Sequence, residues 1–142
     1  RVTNNIALGM QPKYFGYYFL KKNKFDHILN LRQKSSNYNL KKSFEILNIP
    51  VKEHGVPTIS QLNKGADYIN KVINNNKKIY IHCREGISRA PTFLVAYFIK
   101  YRKYDIKNSI EIIISKRNFI NILDNQLLVL QKFEKSINDI SK

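Results

Sequence analysis

The sequence has little cysteine, few acidic residues and no long apolar run. Its only cysteine, Cys83, leaves no partner for a disulfide within the chain and rules out a zinc site built from several cysteines. No apolar stretch approaches the ~20 residues that cross a bilayer as a helix. We therefore expect residues 1–142 to form one soluble domain in a reducing, cytoplasmic compartment. Because the chain opens with Arg1 instead of methionine, we also expect that its N-terminus has been trimmed.

The scarcity of acidic residues leaves a large positive charge. The chain has 25 Lys and Arg against 10 Asp and Glu, which gives a formal net charge of +15. Such an excess suits an anionic partner, such as nucleic acid, a phosphoinositide membrane or a phosphorylated substrate. A second explanation is coding bias, because the abundant asparagine, isoleucine and lysine share A/T-rich codons. The sequence leaves both explanations open.

Predicted strands and helices alternate along the chain, which favours an α/β fold. We expect a central, mostly parallel sheet of four to five strands flanked by helices. A Ser/Asn-rich loop is predicted at Ser35–Asn39. The predicted strands are Val2–Leu8, His27–Leu31, Glu45–Val51 and Lys78–His82.

Five helices are predicted between and after these strands. The first begins near Pro12 and carries aromatic residues at helical spacing, the second is capped by Ser60, and the third covers Ser88–Tyr104. Asp105 is expected to cap the fourth helix, and the last runs from about Asp124 to Ile140. The aromatic residues of the first helix are Tyr14, Phe15, Tyr18 and Phe19, and the apolar face of the fourth is Ile106, Ile110, Ile113 and Ile114.

The candidate catalytic residues lie between the fourth strand and the third helix, in the segment IYIHCREGISRAPT. The strand ends at His82, a short loop containing Gly86 follows, and a long helix begins. Consecutive N–H groups of such a loop, with the positive end of the helix, bind a phosphate-sized anion and favour the thiolate form of Cys83. Arg89 can turn back and hold two phosphoryl oxygens. Phosphoryl transfer to sulfur requires this combination of nucleophile and clamp.

The pattern His82-Cys83-x5-Arg89 resembles the signature of the cysteine-dependent protein tyrosine phosphatase superfamily, and Gly86-x-Ser88-Arg89 resembles its dual-specificity branch. The resemblance implies a minimal, dual-specificity-phosphatase-like fold with the phosphate-binding loop between strand and helix. Its further segments, which extend it over most of the chain, are Val2–Pro12, His27–Arg32 and Phe93–Tyr101.

The resemblance also implies roles for individual residues and requires neither a cofactor nor a metal. Cys83 attacks phosphorus to give a phosphocysteine, which water then hydrolyses, and His82 tunes the cysteine through backbone hydrogen bonds. Phosphate, sulfate or vanadate is expected to occupy the loop. The residues implied to surround the phosphate are Arg84, Glu85, Gly86, Ile87, Ser88 and Arg89.

The general acid is the first departure from the family pattern, because the loop about thirty residues before the cysteine has no Asp. One family spacing places Glu53 in the acid position, four residues before Pro57. Another, resembling a phosphatidylglycerophosphate phosphatase, places Lys52 there instead. Glu53 is the leading candidate, while His54 and the absence of any acid remain alternatives.

Ala90 is the second departure, because the dual-specificity branch has Ser or Thr after the arginine. That hydroxyl helps the thiolate leave in the second step, so we expect slow hydrolysis of the phosphocysteine. Slow, prenylated liver-regeneration phosphatases resemble this chain in having Arg-Ala-Pro here.

The leading function is hydrolysis of phosphotyrosine, with phosphoserine and phosphothreonine as further targets, in phosphorylated protein substrates. The basic charge supports an alternative phosphoinositide, phospholipid or RNA 5′-phosphatase, which uses the surface to contact anionic lipid or nucleic acid. A third possibility is a nearly inactive phosphate-binding pseudophosphatase.

Overall fold

The computed structural model describes residues 1–35 and 42–140. Within them, four strands form one sheet in the order β1-β4-β2-β3, and all three strand pairs are parallel. The prediction of an α/β fold with a mostly parallel sheet is confirmed, and the predicted loop at Ser35–Asn39 lies outside the described residues from position 36 onward. The strands are β1 (Ile6–Gly9), β2 (His27–Asn30), β3 (Glu45–Asn48) and β4 (Ile79–His82).

All five predicted helices are present. The predicted cap of the fourth helix is confirmed, since the Asp105 carboxylate accepts the Asn108 N–H at 2.7 Å. The helices are α1 (Tyr14–Lys22), α2 (Ile59–Asn74), α3 (Arg89–Arg102), α4 (Ile106–Lys116) and α5 (Asp124–Ile140). Among the described residues, none of these helices combines the length and the apolar character needed to span a membrane.

Two local predictions about helices were wrong. Helix α2 is capped by Thr58 and not by Ser60, because Thr58 and Gln61 each accept the backbone N–H of the other, at 3.0 and 2.9 Å. In α4, Ile114 is exposed while Ser109 is buried. The other three residues of the predicted face pack toward the core, so the prediction fails only at Ile114. Ile114 lies about 100° around the helix from the buried Ile113.

The core lies between the sheet and helix α3, whose residues from Arg89 to Ile99 are all buried. Ile79 and Ile81 of the central strand face this side of the sheet and are fully buried. Helices α2, α4 and α5 all pack against α3. Each fully buried side chain of this size contributes roughly 2 kcal/mol, so the helix that follows the predicted phosphate loop is fixed firmly in place.

Helix α1 lies on the opposite face of the sheet. The β1–α1–β2 and β3–α2–β4 crossovers run in opposite directions across the sheet, and right-handed crossovers then place their helices on opposite faces. The Tyr17 ring packs on Phe44, 5.7 Å between centroids. The helix itself is confirmed, but its aromatic spacing marks the solvent side, with Tyr14 and Phe15 exposed.

The carboxyl ends of the strands meet at one edge of the sheet. Gly9 and Asn30 flank His82 there, as register partners on the two neighbouring strands. Ligands of parallel sheets bind outside this edge. The loop that leaves β4 toward α3 therefore lies where the topology places a binding site.

Candidate active site

The loop from Cys83 to Ser88 has an unusual backbone arrangement, in which consecutive carbonyl groups are bound from outside. The Arg84 carbonyl accepts from Gln11 N–H at 3.0 Å, and the Ile87 carbonyl accepts from Asn121 N–H at 2.6 Å. Arg117 donates to the two carbonyls between them, those of Glu85 and Gly86, at 3.1 Å each. In a planar trans peptide the N–H points away from the carbonyl. The loop N–H groups therefore turn inward, toward the cleft.

Cys83 lies at the base of this loop and is buried. The Gly86 N–H donates to Cys83 Sγ at 3.2 Å. A backbone N–H directed at sulfur stabilises negative charge there, as an anion-binding loop does for a phosphate. The structure thus brings the predicted nucleophile and the predicted loop together.

Gly86 permits the tight curve of the loop. Its φ of +74° lies in the left-handed region that favours glycine. A Cβ atom here would collide with the carbonyl group of Gly9 and would lie 2.9 Å from Nη2 of Arg117. The loop can therefore pack against the end of β1 only with glycine at this position.

Arg89 is the first residue of α3, and its buried side chain forms part of the cleft wall. Its Nη1 donates to the carbonyl of Val51 at 2.6 Å and to that of Leu31 at 3.5 Å. These carbonyls follow β3 and β2, so the guanidinium is oriented by both strands. This position suits the predicted grip on phosphoryl oxygens.

His82 supports the loop from below as a neutral imidazole. Burial is the largest cause that lowers its pKa to about 4. Its Nδ1 lies 3.3 Å from the Cys83 carbonyl, and its ring stacks on Tyr80 at 5.9 Å between centroids. The neutral ring can donate one hydrogen bond to that carbonyl, and the supporting role of His82 stays a prediction.

Glu53 and His54 line the cleft together with Cys83 and Arg89. The Glu53 carboxylate pairs with Arg84, 3.3 Å from Oε2 to Nη1, and lies 3.9 Å from Nε2 of His54. Both acid candidates are thus in the cleft, while Lys52 is an exposed residue of the same loop.

Gln126 is a site residue that the sequence analysis missed. Its buried side chain accepts the Ser88 hydroxyl at 2.8 Å and the Leu123 N–H at 2.9 Å, and it donates to the Gly55 carbonyl at 3.0 Å. It therefore ties the phosphate loop to the loop that carries Glu53. The sequence did hold one indication of this role. Gln126 lies four residues before Leu130, so it is a polar residue on the apolar face of α5.

Arg117 was missed as well, because no motif links it to a loop 31 residues earlier. Its position just after the last turn of α4 gives no sequence signal of a role in the site. Only the tertiary fold brings its guanidinium to the carbonyls of Glu85 and Gly86.

Two hollows meet at this site. The cleft above Cys83 is open to solvent on one side, holds about 80 Å³ of water-accessible space, and includes Asn121 and Leu123 in its wall. A second, wider hollow of about 360 Å³ of water-accessible space adjoins it. It shares Glu53, Arg84 and Arg89 with the cleft and adds Arg32, Gln33 and Lys34. The described residues contain no group of three His, Cys, Asp or Glu side chains able to hold a metal ion.

The comparisons with known proteins find phosphatases. The family model described as "Dual specificity phosphatase, catalytic domain" matches residues 6–136. The chain is 35% identical over 83 residues to the human protein phosphatidylglycerophosphatase and protein-tyrosine phosphatase 1, covering 58% of this chain and 41% of that protein. It thus spans about two fifths of the length of this relative.

Two other relatives are matched over nearly their whole length. Putative tyrosine phosphatase 123R of invertebrate iridescent virus 6 is 29% identical over 134 residues, covering 94% of this chain and 87% of the viral protein. The crystal structure of PTPMT1 in complex with PI(5)P superimposes with a TM-score of 0.90 and 25% identity, covering 100% of this chain and 97% of that one.

Proposed function

The chain belongs to the dual specificity phosphatase family, and on that premise we propose that it hydrolyses phosphomonoesters through a phosphocysteine on Cys83. The observation that carries the proposal is the loop whose carbonyls from Arg84 to Ile87 are bound from outside while a backbone N–H points at the Cys83 sulfur. Arg89 at the wall of the same cleft supplies positive charge for the transferring group.

In the first step, the thiolate of Cys83 attacks phosphorus. The S–P bond forms as the bond from phosphorus to the leaving oxygen breaks, and that oxygen takes a proton from the Glu53 carboxyl. The inward N–H groups and Arg89 bind the three equatorial oxygens, where negative charge develops. The product is a phosphocysteine and a free alcohol or phenol.

In the second step, water attacks the phosphocysteine and the thiolate leaves. Glu53 takes a proton from the water, the S–P bond breaks, and inorganic phosphate is released. Ala90 offers no hydroxyl to the departing sulfur, and the Ser88 hydroxyl donates to Gln126 instead. This supports the expectation that the second step is slow.

Ala90→Ser tests that expectation. We predict a several-fold rise in steady-state turnover, because a hydroxyl here would stabilise the leaving thiolate by one hydrogen bond. The measurement is steady-state kinetics together with trapping of the phosphoenzyme by acid quench. Unchanged turnover, or no trapped intermediate in the native protein, would contradict a rate-limiting second step.

The leading substrate class is phosphotyrosine in proteins, with phosphoserine and phosphothreonine as further targets. It is supported by a similarity that covers 87% of the length of a viral protein. That protein is named a putative tyrosine phosphatase. Since Cys83 acts as a free thiol, a reducing compartment such as the cytoplasm suits the proposal.

A phospholipid is the second candidate substrate. The specific observation in its favour is the basic hollow beside the cleft, where the cations outnumber the one carboxylate, that of Glu53. Arg32 and Lys34 in this hollow suit a second anionic group on the same substrate. A similar protein is named a phosphatidylglycerophosphatase, and a similar structure was solved with PI(5)P.

The test of the activity is the pH profile of aryl phosphate hydrolysis by the native protein, Cys83→Ser and Glu53→Gln. We expect turnover to vanish in Cys83→Ser and the basic limb of the profile to disappear in Glu53→Gln. Glu111→Gln, on α4, is the matched control. A native protein no faster than Cys83→Ser, yet able to bind vanadate, would identify a phosphate-binding pseudophosphatase instead.

The two substrate classes are separated by comparing kcat/KM for a phosphotyrosine peptide with that for a short-chain, water-soluble phosphoinositide. If the basic hollow binds a lipid headgroup, Lys34→Glu lowers kcat/KM for the phosphoinositide and leaves that for the aryl phosphate unchanged. Lys64→Glu, an exposed lysine of α2, controls for net charge. A clear preference for the peptide would favour the protein phosphatase.

A further inference from the structure

The exposed side of helix α1 is strongly aromatic. The relative exposures of Tyr14, Phe15, Tyr18 and Phe19 are 84%, 73%, 60% and 57%, and no residue of the helix is buried. Each of these four residues, which we call the aromatic face, has another member three or four positions away, so they form one stripe on the helix. A contiguous apolar patch of this kind on a folded domain marks an interaction site.

The helix is attached to the sheet by its other side. Gly16, Tyr17 and Leu20 are partly buried, and Leu20 lines a groove with Tyr80 of β4. Because the sheet already occupies that side, the aromatic face cannot turn inward without breaking these contacts. Its exposure follows from how the helix packs on the sheet.

Positive charge surrounds the aromatic face. The first 25 residues contain no Asp or Glu but include Arg1 and four lysines. Lys22 lies within the stripe by helical spacing and is exposed, and Lys13 and Lys24 are exposed beyond the two ends of the helix. Lys21 is engaged elsewhere, because it pairs with Asp26 at 3.0 Å.

The apolar surface continues from α1 to the mouth of the cleft. Met10, which is 56% exposed, lines the groove beside α1 and also a second groove that contains Phe119, which is 74% exposed. Ile87 and Glu85 line this second groove and the catalytic cleft alike. The exposed apolar side chains therefore approach the entrance of the active site.

We propose that the aromatic face of α1, together with Met10 and Phe119, docks on the surface of an anionic lipid bilayer. Interfacial helices combine aromatic side chains that enter the acyl boundary with lysines that pair with anionic headgroups, which is the composition found here. A bilayer supplies apolar and anionic chemistry together, whereas a protein partner would need an acidic rim around an apolar groove. Docking in this way places the cleft at the membrane surface.

Vesicle sedimentation tests the proposal without requiring turnover. The probes are vesicles of phosphatidylcholine with phosphatidylglycerol and vesicles of phosphatidylcholine alone, with the native protein and a Phe15→Ser/Phe19→Ser variant. We expect the native protein to bind the anionic vesicles preferentially and the variant to lose roughly tenfold in partitioning. Hydrolysis of a soluble aryl phosphate should stay unchanged in the variant, so failure of docking and failure of catalysis are separate results.

The matched control is an Ile114→Ser/Leu128→Ser variant, which removes two exposed apolar side chains from α4 and α5. It should bind vesicles as the native protein does. Circular dichroism and thermal midpoints establish that both variants are folded. Equal loss of binding in the control would overturn the assignment to α1.

Three other results would overturn the proposal. Native binding that is lost at high salt, with the aromatic variant binding like the native protein, would mean adsorption through net charge alone. No binding to either vesicle would exclude a bilayer. A native dimer in sedimentation velocity that the aromatic variant abolishes, without vesicle binding, would assign the surface to a second copy of the chain.

Discussion

The two loops that form the cleft are built differently. In the loop from Cys83 to Ser88, the carbonyls of Arg84 through Ile87 are fixed by donors from three other segments. Residues 52–56, in the loop that carries Glu53, are mostly exposed. Side chains hold them from other segments, Arg84 at the Glu53 carboxylate and Gln126 at the Gly55 carbonyl. Phosphate binding is therefore organised in advance, whereas proton transfer depends on a loop with few constraints.

This difference explains why intact nucleophile chemistry can coexist with an atypical acid. A bound phosphoryl group meets fixed donors whatever residue protonates the leaving oxygen. Substitutions in the phosphate loop should therefore act on every substrate. Those in the Glu53 loop should act most on substrates whose leaving groups need a proton.

Arg89→Lys should give the largest effect, about a 10³-fold loss of kcat/KM for an aryl phosphate. A single ammonium cannot donate to the Val51 carbonyl and also hold two phosphoryl oxygens as a guanidinium does. The measurement is steady-state kinetics, with Arg102→Lys, at the far end of the same helix, as the control. A loss smaller than about tenfold would mean that Arg89 is structural only.

Gly86→Ala should come next, with about a 10²-fold loss of kcat. The added methyl group meets the Gly9 carbonyl, and alanine is strained at a φ of +74°. The loop must shift, and the N–H that points at Cys83 Sγ shifts with it. Gly16→Ala, in helix α1, is the control that should keep its activity. Native-like kinetics in Gly86→Ala would contradict a preorganised loop.

Gln126→Glu tests the difference between the two loops, because it should keep the contact of this side chain with the phosphate loop and break its contact with the Glu53 loop. A carboxylate still accepts from Ser88 and Leu123 but repels the Gly55 carbonyl to which the amide donates. We expect about a tenfold loss of turnover for a poor leaving group, a smaller loss for a good one, and unchanged vanadate affinity.

The control for this variant is Gln131→Glu, an exposed position on the same helix. A uniform loss across leaving groups, together with weaker vanadate binding, would mean that Gln126 supports the phosphate loop alone. The dependence on the leaving group is thus the readout that a purely structural role would not change.

The parts of the site that the sequence could predict are those within one continuous segment. Cys83, Gly86 and Arg89 sit between a strand and a helix whose patterns are local, so their spacing already implies their arrangement. Gln126 and Arg117 reach the loop only through tertiary packing, which spacing along the chain does not encode. The sequence leaves the identity of the general acid open, because the loop that carries Glu53 contains no helix or strand whose periodicity would show which side chain faces the cleft.

Helix α1 shows the same limit in the fold. Helical spacing identifies a stripe of aromatic residues, but the opposite side, with Gly16 and Leu20, can also pack on a sheet. Small residues let a helix approach a sheet closely, and the partly buried side here combines Gly16 with Tyr17 and Leu20. A stripe of large apolar residues therefore predicts a contact surface without specifying its partner.

Protonation of His82 should have the smallest effect on catalysis but a measurable effect on the free energy of unfolding. Its pKa of about 4 in the folded state lies below the ordinary value of about 6.5, mainly because the ring is buried. The unfolded state binds the proton first as pH falls, so the stabilisation is complete above about pH 6.5 and is lost toward pH 4. We expect a loss of about 2 kcal/mol between pH 7 and pH 5 from this residue.

Urea unfolding at these two pH values measures the effect. The His82→Asn variant should lose that part of the pH dependence, whereas His54→Gln, an exposed histidine in the Glu53 loop, should keep it. If His82→Asn does not fold, an NMR titration of the native protein answers the same question, since the His82 ring should remain neutral at pH 5. A ring that titrates near pH 6.5 would show that water or the loop reaches it, and the phosphate loop would then be less rigidly supported than its bound carbonyls imply.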